Sequence, residues 1–270
     1  MIETFAALLF AHTLADFVFQ TNRMAASKQK PLVLALHFAV VYATLVAATG
    51  SVHLALLALA LVHVGIDLGK LALTSALQGR HALALFLGDQ ALHLASLLAL
   101  ALWLPGLWSD GLWSGGLWAS GSVTGADAGL LGTGFWAAAS PLPPLPALMA
   151  LVSGLILATR AGGFAVGLLM QPFAERLPAE VTAESLPGAG RVIGLLERGL
   201  IFTLVLLGQP EGVGLLMAAK SILRFGAVKD DRALSEYVII GTLASFGWAL
   251  VAAYATLALL APLGIPTVSP

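Results

Sequence analysis

Histidine and carboxylate recur at helical spacing in the first hundred residues. His12 stands four residues before Asp16, His63 stands four before Asp67 and seven before Lys70, Asp89 stands four before His93, and His37 interrupts an apolar run. Residues four or seven apart share one face of a helix, so each set makes a single polar stripe if its segment is helical. Imidazole nitrogen and carboxylate oxygen suit zinc, iron or manganese, and a divalent metal held by them can activate water at neutral pH or grip a phosphoryl oxygen. The same groups can relay protons or coordinate a transported ion, and buried His and Asp also hydrogen-bond each other simply to pin helix register. The chain has no cysteine, which excludes disulfides, thiolate metal ligands and a cysteine nucleophile.

The segments that carry these groups are otherwise greasy. Of 270 residues, 59% are hydrophobic and only 10% charged, well beyond the roughly 45 to 50% apolar share of soluble domains, so an integral membrane protein is expected. Apolar windows long enough to cross a bilayer fall near 2 to 20, 32 to 49, 54 to 78, 83 to 104, 147 to 172, 191 to 208 and 236 to 261. A shorter one, 212 to 227, follows the turn Gly208-Gln209-Pro210-Glu211-Gly212 and reads as a short spanning or re-entrant helix. The expected fold is therefore an all-α polytopic bundle of about eight spans. Its parts are a four-span unit over 1–104, an extracytoplasmic loop over 105–146 and a four-span unit over 147–270. The first window opens on Glu3 and contains His12 and Asp16, a poor match to a secretory signal, and reads as a retained span.

Cationic residues suggest sidedness. Arg23, Lys28 and Lys30 follow the first span, Arg80 the third, Arg176 and Arg191 flank a later loop, and Lys229 and Arg232 precede the last span, whereas the loops at Gly50 and from Pro105 to Pro146 carry none. By the positive-inside rule the former loops are cytoplasmic and both ends of the chain lie outside. The net charge of −1 and the lack of a basic cluster argue against nucleic acid as a partner. In the long loop, Leu107-Trp108-Ser109, Leu112-Trp113-Ser114 and Leu117-Trp118-Ala119 repeat at five-residue spacing, which reads as an interfacial aromatic anchor followed by a linker. His53 and His81 read as surface residues, Gln20-Thr21-Asn22 as a helix cap that could also receive a polar substrate, and Tyr42 and Tyr237 as interfacial anchors.

At about 1.5 Å per residue, Asp16, His37, Asp67, Asp89 and His93 all fall one to three turns from the cytoplasmic ends of their spans. A shared depth is what one site requires. Glu197 and Arg198, and Lys220 and Arg224, add charge near the same side. Asp16, Asp67, Asp89 and Glu197 oppose Lys70, Arg198 and Lys220, leaving one negative charge with several imidazoles to receive a cation or a proton. Arg160 would cancel that charge if it faced the same site. Lys70 has two options, an ion pair with Asp67 or reaching to the cytoplasm.

The strings His12-Thr13-Leu14-Ala15-Asp16-Phe17 with Gln20-Thr21, Met24-Ala25 and Lys28, then His63 through Lys70, then Asp89-Gln90-Ala91-Leu92-His93 resemble an uncharacterised bacterial multi-pass inner-membrane family, number 3307 among the domains of unknown function. The runs Gly190 to Arg198, Ala218 to Phe225 and Glu236 to Thr242 resemble its longer members. That resemblance implies a bacterial inner-membrane protein without supplying an activity. A looser similarity is to membrane-bound metal-dependent hydrolases.

The expectation is a divalent-metal-dependent membrane hydrolase or lipid-modifying enzyme, with zinc, manganese or iron on His12, Asp16, His63, Asp67, Asp89 and His93. His37 would be a ligand or proton shuttle, and Glu197 a further catalytic candidate. Lys70 and Arg198 would face an anionic or lipid-linked substrate group, with membrane lipids as surroundings. The alternatives are a proton- or ion-coupled transporter or channel, and a non-catalytic assembly or regulatory partner.

Overall fold

The computed structural model describes residues 1–114, 144–176, 188–228 and 232–265. Among these there are nine helices and no strand: α1 Ile2–Phe19, α2 Asn22–Ala26, α3 Pro31–Thr49, α4 Leu54–Ala76, α5 Ala82–Trp103, α6 Leu145–Ala174, α7 Ala189–Leu206, α8 Glu211–Val228 and α9 Arg232–Leu263. Trp118, Glu180, Glu184 and Lys229 lie outside the described residues.

Local chemistry sets the helix ends. Thr21 Oγ1 accepts the Met24 N–H at 3.2 Å and caps α2. Pro31 opens α3, where its missing N–H costs nothing, and Gly50 closes it in the left-handed region at φ 64°. His53, exposed as expected, accepts the Ala55 N–H on Nδ1 at the start of α4. His81 is likewise exposed.

Six of the helices, α1, α3, α4, α5, α6 and α9, are long and apolar enough to cross a membrane. The expected count of about eight spans is not confirmed among the described residues. The 18-residue α7 carries Arg191, Glu197 and Arg198, and the 18-residue α8 carries Glu211, Lys220 and Arg224. Three charges on so short a helix remove it from that set, because each is costly in hydrocarbon. Burial agrees with a membrane protein: Leu32, Leu54, Ile222 and Val251 are more than 70% exposed, while His12, His37, His93 and Arg198 are at most 5% exposed. Large apolar side chains facing out and ionisable ones facing in is the pattern a lipid solvent selects.

The chain forms two compact units. The first contains residues 1–64, 94–114, 144–151 and 262–265. Its core is α1 on α3, with Thr4, Ala6, Ala7, Leu8 and Ala11 of α1 fully buried. Such short side chains let helix backbones approach closely where lipid offers no hydrophobic drive. Two of the tryptophan repeats seal one end of this unit. Trp108 is buried and its N–H bonds Thr4 Oγ1, while Trp113 Nε1 donates to Ala47 O at 2.8 Å at the end of α3.

The second unit contains residues 65–93, 152–176, 188–228 and 232–261. Here α7 packs on α9 and on the π-helical turn Leu157–Ala161 inside α6. Gly154 sits against Thr256, where a Cβ would meet backbone-held side-chain atoms well inside contact distance. The π-turn presents carbonyls sideways. Leu157 O accepts from Trp248 Nε1 at 2.8 Å, and Thr159 O accepts from Arg198.

Candidate functional site

The ten residues singled out by type and spacing fall into three sets of contacts. The first lies wholly in the first unit. His12 and Asp16 come from α1, His37 from α3 and His63 from α4. Asp16 opens into a π-helical turn, Ala15–Phe19, in which the Gln20 N–H reaches back five residues to Ala15 O. The extra residue in that turn re-aims the side chains on it, and such turns are common at functional sites.

Three donor atoms converge there. Asp16 Oδ1 lies 3.1 Å from His63 Nε2 and 3.5 Å from His37 Nε2, and the two Nε2 atoms are 3.2 Å apart. On the other carboxylate oxygen, Asp16 Oδ2 is 3.8 Å from His12 Nδ1. The His12 and His63 rings meet edge to face at 5.6 Å, and the His37 and His63 rings are 5.3 Å apart. All four side chains are nearly excluded from solvent. Gln20 Nε2 lies 3.5 Å from His37 Nδ1, the ring nitrogen pointing away from the triangle. A small void of about 10 Å³ adjoins His12, His63 and Ser96 with Val41, Leu45, Leu59 and Leu97 as its apolar wall. That is room for about one water.

The second set lies in the second unit. Asp67 and Lys70 come from α4, and Asp89 and His93 from α5. Asp67, Asp89 and His93 offer ligand atoms within 4.8 Å of one another, as do Asp16, His37 and His63. Asp89 is the hub: Oδ2 accepts from Lys70 Nζ at 2.8 Å and from Gln90 Nε2 at 3.1 Å, and Oδ1 is 3.5 Å from His93 Nε2. Lys70 thus takes neither of its expected courses. Its ammonium pairs across to α5 rather than with Asp67, and it sits 5.5 Å from the centroid of Phe86.

Glu197 and Arg198 join neither histidine set by any contact described. Glu197 accepts from Lys220 at 2.6 Å, and Arg198 bonds Thr159 O and Ser245 Oγ. Arg160 is exposed and lines neither cavity. Gln20, expected as part of the cap or as a polar substrate contact, instead lies beside His37. Spacing does not single out Thr159 and Ser245, since a backbone carbonyl turned sideways by a π-turn leaves no mark on side-chain pattern.

No curated protein and no solved structure matches the chain, so the looser similarity to membrane-bound hydrolases finds no counterpart among them. The C-terminal runs read as resembling longer members of the numbered family lie beyond the matched segment. Residues 4–109, which hold every histidine and aspartate of the first two sets, match the model of the family described as Protein of unknown function (DUF3307).

Proposed function

We propose that this protein is a divalent-metal-dependent hydrolase or related lipid-modifying enzyme of the bacterial plasma membrane, with its metal held by Asp16, His37 and His63. The observation that carries the reading is the triangle of His37 Nε2, His63 Nε2 and Asp16 Oδ1, with edges of 3.1, 3.2 and 3.5 Å. Metal to ligand bonds of about 2.0 to 2.2 Å put neighbouring ligands of a tetrahedral site roughly 3.3 to 3.6 Å apart. One cation satisfies all three edges together, whereas one shared proton satisfies a single edge. Two histidines and a carboxylate leave a coordination position open, the arrangement used by catalytic zinc.

The surrounding groups have roles in keeping with this. His12, 3.8 Å from the far oxygen of Asp16, lines the adjoining void and can accept a proton from a water there. The Gln20 amide, turned end for end, accepts the Nδ1–H of His37 and so leaves His37 Nε2 free to ligate. The bound metal would supply a hydroxide equivalent or polarise a carbonyl or phosphoryl oxygen. Asp67, Asp89 and His93 form a second candidate ligand set, in which the Lys70 ammonium already balances part of the carboxylate charge.

The test is elemental analysis of the detergent-purified chain, run with hydrolysis assays on carboxylic esters, phosphate monoesters and phosphate diesters. About one equivalent of zinc, manganese or iron is expected, lost in His63→Ala and Asp16→Asn together with a chelator-sensitive hydrolytic activity. Wild-type protein with no metal after incubation with each ion would overturn the reading.

A second reading is a proton- or ion-coupled transporter. The His37 Nε2 to His63 Nε2 separation of 3.2 Å also suits a shared proton, and Asp16 Oδ1 at 3.1 Å from His63 Nε2 extends the chain of contacts to a carboxylate. Proteoliposomes showing pH-driven flux that His37→Ala abolishes, with no bound metal, would favour it.

A further inference from the structure

The second unit holds an open-mouthed cavity of about 480 Å³ between α6, α7, α8 and α9. Three helices line it with small residues one turn apart: Gly163 and Gly167 on α6, Gly190 and Gly194 on α7, Gly241 and Ser245 on α9. A missing Cβ at each glycine is what opens the hollow. Two of these glycines also frame a guanidinium, since a Cβ on Gly194 would lie 3.0 Å from Arg198 Nη1 and one on Gly163 3.2 Å from Arg198 Nη2.

Arg198 is 5% exposed and lines this cavity. Its Nε and Nη2 donate to Thr159 O at 3.2 and 3.0 Å, and its Nη1 donates to Ser245 Oγ at 3.2 Å. A guanidinium has five N–H donors, so one on each terminal nitrogen remains beyond these three bonds. The neighbouring carboxylate Glu197 is shared, because it also holds Lys220 at 2.6 Å, and Lys220 lies over the Phe246 ring. Among the described residues no carboxylate lies within ion-pair distance of Arg198. Arg191 adds another cation to the wall, so three cations face one carboxylate.

A buried cation whose one nearby carboxylate is shared with other cations is only partly compensated, and an anion that accepts its remaining N–H groups offsets that cost. We propose that this cavity is a binding site for a phosphorylated ligand of head-group size, the phosphate taken by Arg198 and Arg191 and the rest lying along Val166, Met170, Ile193 and Val238. The volume is in the range of small-molecule sites and far exceeds what a bare phosphate fills. A planar guanidinium with two outward N–H groups matches phosphate geometry better than a chloride ion. The site stands apart from the metal reading: its residues lie outside the segment that matches the family, and it requires no metal.

The test is equilibrium binding to the full chain in nanodiscs of phosphatidylcholine, with inorganic phosphate, glycerol phosphate and short-chain phosphatidic acid as probes. Short-chain phosphatidylcholine is the control. Arg198→Gln and Arg191→Gln should each weaken binding of the phosphate-bearing probe, Arg198→Gln by on the order of 10- to 100-fold. Nothing lies within 4 Å of a Cβ at Gly167, which lines the cavity, so Gly167→Leu should unfold at the wild-type temperature and should block the same binding. Binding of phosphatidic acid alone identifies a lipid head group, and equal binding of glycerol phosphate identifies a soluble phosphate ester. Failure of all three probes, or equal binding by wild type and Gly167→Leu, overturns the proposal.

Discussion

The Nε2 atoms of His37 and His63 lie 3.2 Å apart although the two residues are 26 positions distant in the chain, and Asp16 Oδ1 closes the triangle. Two imidazole nitrogens facing one carboxylate oxygen compete for the same proton unless a cation stands between them. Metal binding at this triangle should therefore be opposed by acid.

Protonated imidazole has no lone pair to donate, so affinity should fall as pH is lowered and binding should release protons. In wild type the logarithm of the zinc affinity should rise with pH over the imidazole range. His37→Ala should lower that slope by about one proton as well as weakening binding. Chelator competition at several pH values measures both.

Gln20 should matter to affinity without mattering to the fold. Its amide approaches His37 Nδ1 at 3.5 Å from a partly exposed position. Gln20→Ala should cost about 10- to 100-fold in metal affinity, the usual range for a lost orienting partner. Gln20→Glu, which keeps an acceptor for the Nδ1–H, should retain most of it. Equal affinity in all three proteins would show that His37 is oriented by packing alone.

Removing the cation at Asp89 should expose the cost of a buried carboxylate. Asp89 is 2% exposed on its side chain and Lys70 34%. Lys70→Met should destabilise by about 1 to 3 kcal/mol, below the figure for a fully buried pair because water still reaches the ammonium. Asp89→Asn added to Lys70→Met should recover part of the loss. Thermal unfolding in detergent of the two single variants and the double variant gives the coupling energy.

Two glycines should respond in opposite directions. A side chain at Gly154 collides with Thr256 on α9, so Gly154→Val should cost about 1 to 3 kcal/mol or more. At Gly65, within α4, nothing lies near a new Cβ, and Gly65→Ala should stabilise by about 0.5 to 1 kcal/mol through helix propensity. Both are read from the unfolding midpoint of the purified protein.

Particular residues show where pattern sufficed and where it did not. His12 over Asp16 and Asp89 over His93 follow from the i, i+4 rule, and the structure has both pairs, at 3.8 and 3.5 Å. Spacing offers Lys70 only Asp67 on its own helix or the cytoplasm, because it ranks only partners on one helix. Its actual partner lies on α5. Apolar windows alone counted 191 to 208 and 212 to 227 with the spans, whereas three charges each set α7 and α8 apart from the six helices long and apolar enough to cross. Arg198 stood out by type, yet its acceptor is a carbonyl exposed by a π-turn, which residue identity does not encode.

Hydropathy and helical period are local properties, and the sequence by itself determined what depends on them: an all-helical membrane protein, the absence of thiol chemistry, and ionisable residues on inward faces. Which of those faces meet is set by helix crossing, by the small-residue contacts of α1 on α3, and by the π-turns at Ala15–Phe19 and Leu157–Ala161. Only the tertiary structure decided that His37 and His63 share Asp16, that Lys70 serves Asp89, and that glycines on three helices hollow a cavity around Arg198. The reason is geometric: donor atoms must agree to within a few tenths of an ångström, and a period of 3.6 residues fixes direction around a helix but no distance between helices.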